Sequence, residues 1–246
     1  VGGFAALFRL MIVGLSGLTL DAGVDPAAWQ GTIQVIAAVT LILGNFVALS
    51  QTNIKRMLAY SSIAHAGYIL MAVAAVGSAG LVPDIANTAA QAGLVYLLAY
   101  AFTNLGAFAV VLALENNDGP GTELSDFNGL YNSRPMLALA MALFMFSLTG
   151  IPLTAGFMGK WLVFSAAVQA GLIPLTIIGV LTSVISAFYY VRVIVNMFLL
   201  TEDEGSPAVG ETAPVRYAVY ASMAGVLIVG IAVPLVTNLV NMVSLV

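Results

Sequence analysis

The chain contains no cysteine. That excludes disulfides and thiolate-ligated iron–sulfur clusters. Charge is also scarce: 7% of the 246 residues are Asp, Glu, Lys or Arg. Ordinary globular domains carry about 25%. There is one histidine, so no bis-histidine haem can be held by this chain alone. The glycine pattern of dinucleotide-binding folds and the Walker A lysine motif are missing. Any redox or ATP-driven chemistry must therefore lie in another subunit. The net charge of −4 comes from acidic loops, and nothing in it points to nucleic acid.

What is present in abundance is apolar. Hydrophobic residues make up 61% of the chain, and the mean hydropathy is +1.05. A water-soluble protein could not cover its surface with so few charges. The composition implies a polytopic membrane protein, with the lipid bilayer as a partner.

A membrane span needs about 20 apolar residues. The first run is Val1–Leu20, closed by Asp21 and Asp25-Pro26. It opens without Met, inside helix-like apolar sequence, and lacks the basic leader and cleavage site of a signal peptide. The expectation is a chain that begins within a transmembrane helix. Further runs cover Thr32–Leu49, Met57–Val76 and Ile85–Leu114. The last of these is too long to cross untilted. It carries Gly93, Gly106 and a polar set of Tyr96, Tyr100, Thr103 and Asn104, and is expected to tilt or bend. After the acidic loop 115–133 come Pro135–Ala170, Pro174–Leu200, a second acidic loop 201–214, and Val215–Leu239.

Pro135–Ala170 is too long for one straight span and too short for two. Halves of about 15 residues would reach only about 22 Å, against a hydrocarbon core of about 30 Å. One crossing broken at Gly150-Ile-Pro152 fits best. With one crossing per run, the loops around Lys55/Arg56, 115–134 and 201–216 share one side. The opposite loops hold no Lys or Arg. The positive-inside rule makes the basic side cytoplasmic and puts the C-terminus outside. The expectation is about seven crossings, with helix contacts made by small residues.

Lys160 stands out. It is one of two lysines, and apolar sequence flanks it on both sides. A lysine near mid-bilayer is costly, and such residues pair, relay protons or coordinate ions. Pro152 lies eight positions before it, where a membrane helix kinks or breaks. The alternative is a structural lysine that snorkels or pairs with an acid of another subunit. No acidic residue sits deep in any run of this chain, which argues against a carboxylate-cage Na⁺ site. His65, the only histidine, also falls near mid-membrane. Its intrinsic chemistry suits reversible protonation near neutral pH. Tyr60, Ser61, Ser62 and Tyr68 are placed to hold hydrogen bonds or waters beside it. The alternative there is a neutral histidine satisfied by a hydroxyl between helices. Lys55 and Arg56 read as topology anchors. Arg192 either snorkels or pairs with an acid.

The stretch Gly44-Asn-Phe-Val-Ala-Leu-Ser-Gln-Thr-Asn-Ile-Lys-Arg-Met-Leu-Ala-Tyr-Ser-Ser-Ile-Ala-His-Ala-Gly-Tyr68 resembles the signature of the antiporter-like membrane subunits of respiratory complex I. So do Gly150-Ile-Pro-Leu-Thr-Ala-Gly-Phe-Met-Gly-Lys160 and Ile185-Ser-Ala-Phe-Tyr-Tyr-Val-Arg192. Within that family the chain most resembles the subunit N type. The resemblance implies an all-α membrane fold of fourteen helices with two inverted five-helix repeats. Residues 1–20 would be part of the eighth helix. Residues 31–200 would form the second repeat, with 135–170 as its broken helix, and 213–246 the last helix. It implies that Lys160 and His65 exchange protons along a central hydrophilic axis, supported by Tyr60, Ser61, Ser62, Tyr68, Pro152 and Thr154. It implies no cofactor in this chain; NADH, FMN, iron–sulfur clusters and quinone belong to partner subunits. The partners would be other membrane-arm subunits, in a bacterial plasma membrane. A multi-subunit Na⁺/H⁺ antiporter or membrane-bound hydrogenase subunit, and a purely structural scaffold, are the alternatives.

Overall fold

In a computed structural model, the described residues are 2–10, 26–78, 83–114, 122–201, 212–232 and 238. Most of the first apolar run and the centres of the loops before Pro83, after Leu114 and after Thr201 lie outside them. Within the described residues the chain is helical. The helices are α1 (Gly2–Arg9), α2 (Pro26–Leu49), α3 (Ile54–Ser78), α4 (Pro83–Leu114), α5 (Leu130–Ser133), α6 (Pro135–Thr149), α7 (Ala155–Gln169), α8 (Ile173–Leu199) and α9 (Ala213–Ile231). Five of them, α2, α3, α4, α8 and α9, are long and apolar enough to cross a membrane. Pro26, Pro135 and Pro174 lie in first turns, where a missing N–H leaves no intrahelical bond unmade. α4 is one uninterrupted helix of 32 residues, so its length is taken up without a break.

The region 135–170 is two 15-residue helices, α6 and α7. They form a single broken crossing, as their register on α4 establishes. Phe144 packs at Gly106, Ser147 bonds Thr103, and Gly159 packs on Tyr96. The contacts descend α4 steadily as the chain advances. A hairpin would have turned back toward Gly106.

Two apolar clusters fill the bundle. One includes Ile54, Met57, Phe127, Phe144 and Met197. The other includes Leu41, Met71, Ala89, Val163 and Ala166. α3, α4 and the α6–α7 pair each pass from one cluster to the other. They do so at Ser61–Tyr68, Tyr96–Thr103 and Ser147–Lys160, and these segments supply a buried polar layer. Small residues make close contacts, as expected; Gly44 lies directly on the backbone of Ala64. The outer face is apolar: Val184 and Phe188 of α8 are 67% and 65% exposed. Such a surface calls for lipid or protein rather than water, and the chain is an integral membrane protein.

Lys55, Arg56, Arg134 and Arg192 gather at one end. The α2–α3 turn is tied to the segment after 121 by Ile54 N–H to Thr122 O and Leu124 N–H to Thr52 O. Asn196 Nδ2 of α8 donates to Leu124 O, and an Arg192 guanidinium nitrogen donates to Gln51 O. Arg192 thus caps a carbonyl just past the end of α2, in the turn at the basic end that snorkelling would reach.

Candidate functional site

The site begins with the end of α6. Gly150 closes that helix at φ 92°, its N–H reaching Phe146 O and Ser147 O. In an unbroken helix, residue 152 would donate to Leu148 O and residue 153 to Thr149 O. Pro152 has no N–H to give. Leu153 turns away at φ 72°, a left-handed conformation that costs a leucine about 1–2 kcal/mol. Two carbonyls at the negative end of a helix are therefore left unsatisfied by the backbone.

Lys160 takes both. Its Nζ donates to Leu148 O at 2.9 Å, to Thr149 O at 2.9 Å, and to Ser183 Oγ of α8 at 2.9 Å. An ammonium has three N–H donors, and all three are used on neutral acceptors. The residue is 5% exposed. The ring of Tyr68 lies 5.3 Å from Nζ, within cation–π range. Within this chain the partners of Lys160 are a helix C-terminus and a hydroxyl.

The start of α7 is held against the end of α6. Gly156 N–H donates to Ser147 Oγ at 3.0 Å, and Ser147 Oγ meets Thr103 Oγ1 at 2.9 Å. An added Cβ at Gly156 would stand 1.7 Å from Ser147 O, so only glycine permits this approach. Thr154 occupies the N-cap position but spends its hydroxyl on Ile151 O, at 2.6 Å. It shapes the break and makes no bond to Lys160.

His65 sits in the same layer, 5% exposed. Its Nδ1 is 2.6 Å from Tyr96 Oη and its Nε2 3.1 Å from Tyr190 Oη. Tyr190 Oη is in turn 2.5 Å from Ser61 Oγ. Tyr100 stacks on the imidazole at 4.8 Å between centroids and donates to Ser62 Oγ at 2.7 Å. Tyr68 presents its ring edge-on to His65 at 5.9 Å, so it stands beside both His65 and Lys160. A cavity of about 10 Å³ lies between His65, Tyr100, Thr103, Ser147 and Leu148. That is near the lower limit for one water molecule. It abuts the residue whose carbonyl holds Lys160.

Of the residues singled out in the sequence, His65, Ser61, Ser62, Tyr68 and Lys160 come together here. The direct partners of His65 are nevertheless Tyr96 and Tyr190, on other helices. Ser61 and Ser62 act one hydroxyl further out. Tyr60 packs half-buried against the apolar cluster that contains Met57 and is not part of the network. Pro152 is exposed in the break and acts through the N–H it lacks. Ser183, Tyr96 and Tyr190 were not named as site residues. The spacing of Tyr96, Tyr100 and Thr103, which puts them on one face of a helix, was the available signal for α4.

Residues 4–186 match the family described as NADH:quinone oxidoreductase/Mrp antiporter, transmembrane. The chain is 47% identical to NADH-quinone oxidoreductase subunit N of Trichlorobacter lovleyi, over 93% of this chain and 44% of that protein. Among solved structures it is similar to a chain of respiratory complex I from Thermus thermophilus with bound Aureothin. That match has a TM-score of 0.69 at 34% identity and covers 85% of this chain and 45% of that one. A chain of the Mrp complex from Dietzia sp. shares the fold, with a TM-score of 0.78 at 22% identity, covering 97% of this chain and 49% of that one. The chain thus spans about half the length, or less, of the proteins it matches.

Proposed function

The chain belongs to the NADH:quinone oxidoreductase/Mrp antiporter membrane family, and from that membership we propose that it is part of a proton-translocating membrane subunit of an NADH:quinone oxidoreductase, of the subunit N type. Residues 31–200 would be its second five-helix repeat and 213–246 its last helix, with the C-terminus outside a bacterial plasma membrane. NADH, FMN, iron–sulfur clusters and quinone would lie in partner subunits. The chain would contact lipid and other membrane-arm subunits.

The observation that carries this reading is the environment of Lys160. The ammonium sits deep in the bundle, satisfied only by neutral acceptors at a helix break. A proton can leave Nζ without breaking an ion pair. A tight lysine–carboxylate bridge would hold it. The group that receives or supplies the proton would be water in the polar layer, with His65 on its far side. Buried charge and irregular backbone at membrane depth are tolerated where they line such a path.

The identity to subunit N favours this reading over a Na⁺/H⁺ antiporter subunit, for which the shared Mrp fold speaks. The scaffold reading makes the opposite prediction at Lys160. In the whole complex, Lys160→Met should abolish most NADH-driven proton uptake into everted vesicles and slow NADH:quinone reduction with it, assembly being retained. Unchanged pumping in an assembled Lys160→Met complex would leave the scaffold.

A further inference from the structure

Both ring nitrogens of His65 meet tyrosine hydroxyls, and the two tyrosines differ in what else they touch. Tyr190 Oη continues to Ser61 Oγ. Tyr96 is 2% exposed, and its hydroxyl has His65 Nδ1 as its hydrogen-bond partner. Its ring lies against Gly159, where a Cβ would approach Tyr96 Cδ2 to 2.9 Å and Tyr96 Cα to 3.2 Å. Gly159 is the residue before Lys160. One side chain therefore touches the imidazole with its hydroxyl and the lysine-bearing helix with its ring.

A neutral imidazole has one N–H donor and one acceptor nitrogen. If the Tyr96 hydroxyl donates to Nδ1, the proton of His65 must be on Nε2. It is then donated to Tyr190 Oη, and Tyr190 donates to Ser61 Oγ. If Tyr96 accepts from Nδ1–H, every bond in the run reverses. The orientation of one buried O–H sets the direction of the run from Tyr96 to Ser61. We propose that Tyr96 is a positioning residue that fixes the tautomer of His65 and ties it to the helix carrying Lys160. This rests on the reading of His65 and Lys160 as proton-exchanging groups. The titratable groups facing His65 are Tyr96 and Tyr100 from α4, Tyr190 from α8 and Tyr68 from its own helix. Lys160 of α7 acts on it electrostatically.

The test is a double-mutant cycle in the whole complex, reading the pH profile of proton uptake per NADH oxidised in everted vesicles. Tyr96→Phe deletes one hydroxyl and keeps the ring on Gly159. It should displace the profile by about half a pH unit or more, because one buried hydrogen bond changes a protonation equilibrium roughly three- to tenfold. In a His65→Met background, Tyr96→Phe should add nothing. If Tyr96→Phe does not assemble, Gly159→Ala poses the same question by displacing the ring, and its shift should likewise require His65. An unchanged profile, or an equal shift with and without His65, overturns the proposal. A defective His65→Met beside an unaffected Tyr96→Phe overturns this inference alone. A His65→Met complex that pumps normally overturns the role of His65, and this inference with it.

Discussion

One methyl group added at Gly156 should disable Lys160 without touching it. The Cβ of Gly156→Ala would stand 1.7 Å from Ser147 O and 2.7 Å from Ser147 C, where ordinary contact begins at 3.4 Å. The obstacle is backbone, so no side-chain rotation relieves it, and α7 must move away from the end of α6. Overpacking of this kind costs about 1–3 kcal/mol. The functional consequence is larger than the stability cost. Lys160 Nζ holds Leu148 O and Thr149 O at 2.9 Å each, and a separation of roughly 1 Å carries both out of hydrogen-bond range. The Gly156 N–H bond to Ser147 Oγ goes with them. The assay is dye-monitored proton uptake in everted vesicles carrying the Gly156→Ala complex, beside its thermal midpoint. Proton uptake per NADH should fall several-fold in assembled enzyme, and the midpoint should drop. Normal uptake at unchanged stability would refute the claim that the close approach of α6 and α7 positions Lys160.

Ser183→Ala removes one of the three acceptors of Lys160. A hydrogen bond to a charged group corresponds to about 1.5–3 kcal/mol, so the pH profile of proton uptake should move by about one unit or more, while Ser183→Thr should leave it in place. Topology is open to single-cysteine labelling, since the chain has no cysteine. Asn132→Cys, before α6, should react only from the basic side, and Gln169→Cys, at the end of α7, only from the other; reaction of both from one side would contradict the broken crossing. Arg192→Gln should lower the thermal midpoint by loosening the α2–α3 turn while sparing proton uptake per NADH, and a selective pumping defect would show that Arg192 does more than cap Gln51 O.

The spans were legible because a bilayer imposes length and apolarity on each helix independently. The break was legible by arithmetic. Residues 135–170 fit neither one straight span nor two, and Gly150 and Pro152 marked where to divide them. Lys160 and His65 were legible because they are almost alone in their chemistry. Their partners were not. Two acceptors of Lys160 are backbone carbonyls, present at every residue, and only the path of the chain after Gly150 leaves them open. Ser183, Tyr96 and Tyr190 come from helices whose rotation about their own axes is set by packing. In α4, Tyr96, Tyr100 and Thr103 line the polar layer of a continuous helix. The hydroxyls nearest His65 in sequence, on Ser62 and Tyr68, bond elsewhere, while those of Tyr96 on α4 and Tyr190 on α8 meet its ring nitrogens. A helix directs its i and i+4 neighbours along one face rather than at one another's polar tips.

A Lys160 that exchanges a proton and one that supplies a fixed charge differ in what arginine does in its place. Lys160→Arg in the assembled complex tests this difference most directly, with NADH-driven proton uptake and NADH:quinone reduction measured together. Arginine keeps the positive charge and can reach the carbonyls of Leu148 and Thr149, but it stays protonated at any working pH. If Lys160 exchanges a proton, Lys160→Arg loses most proton uptake, as Lys160→Met does. Normal uptake with arginine at this position would contradict proton exchange.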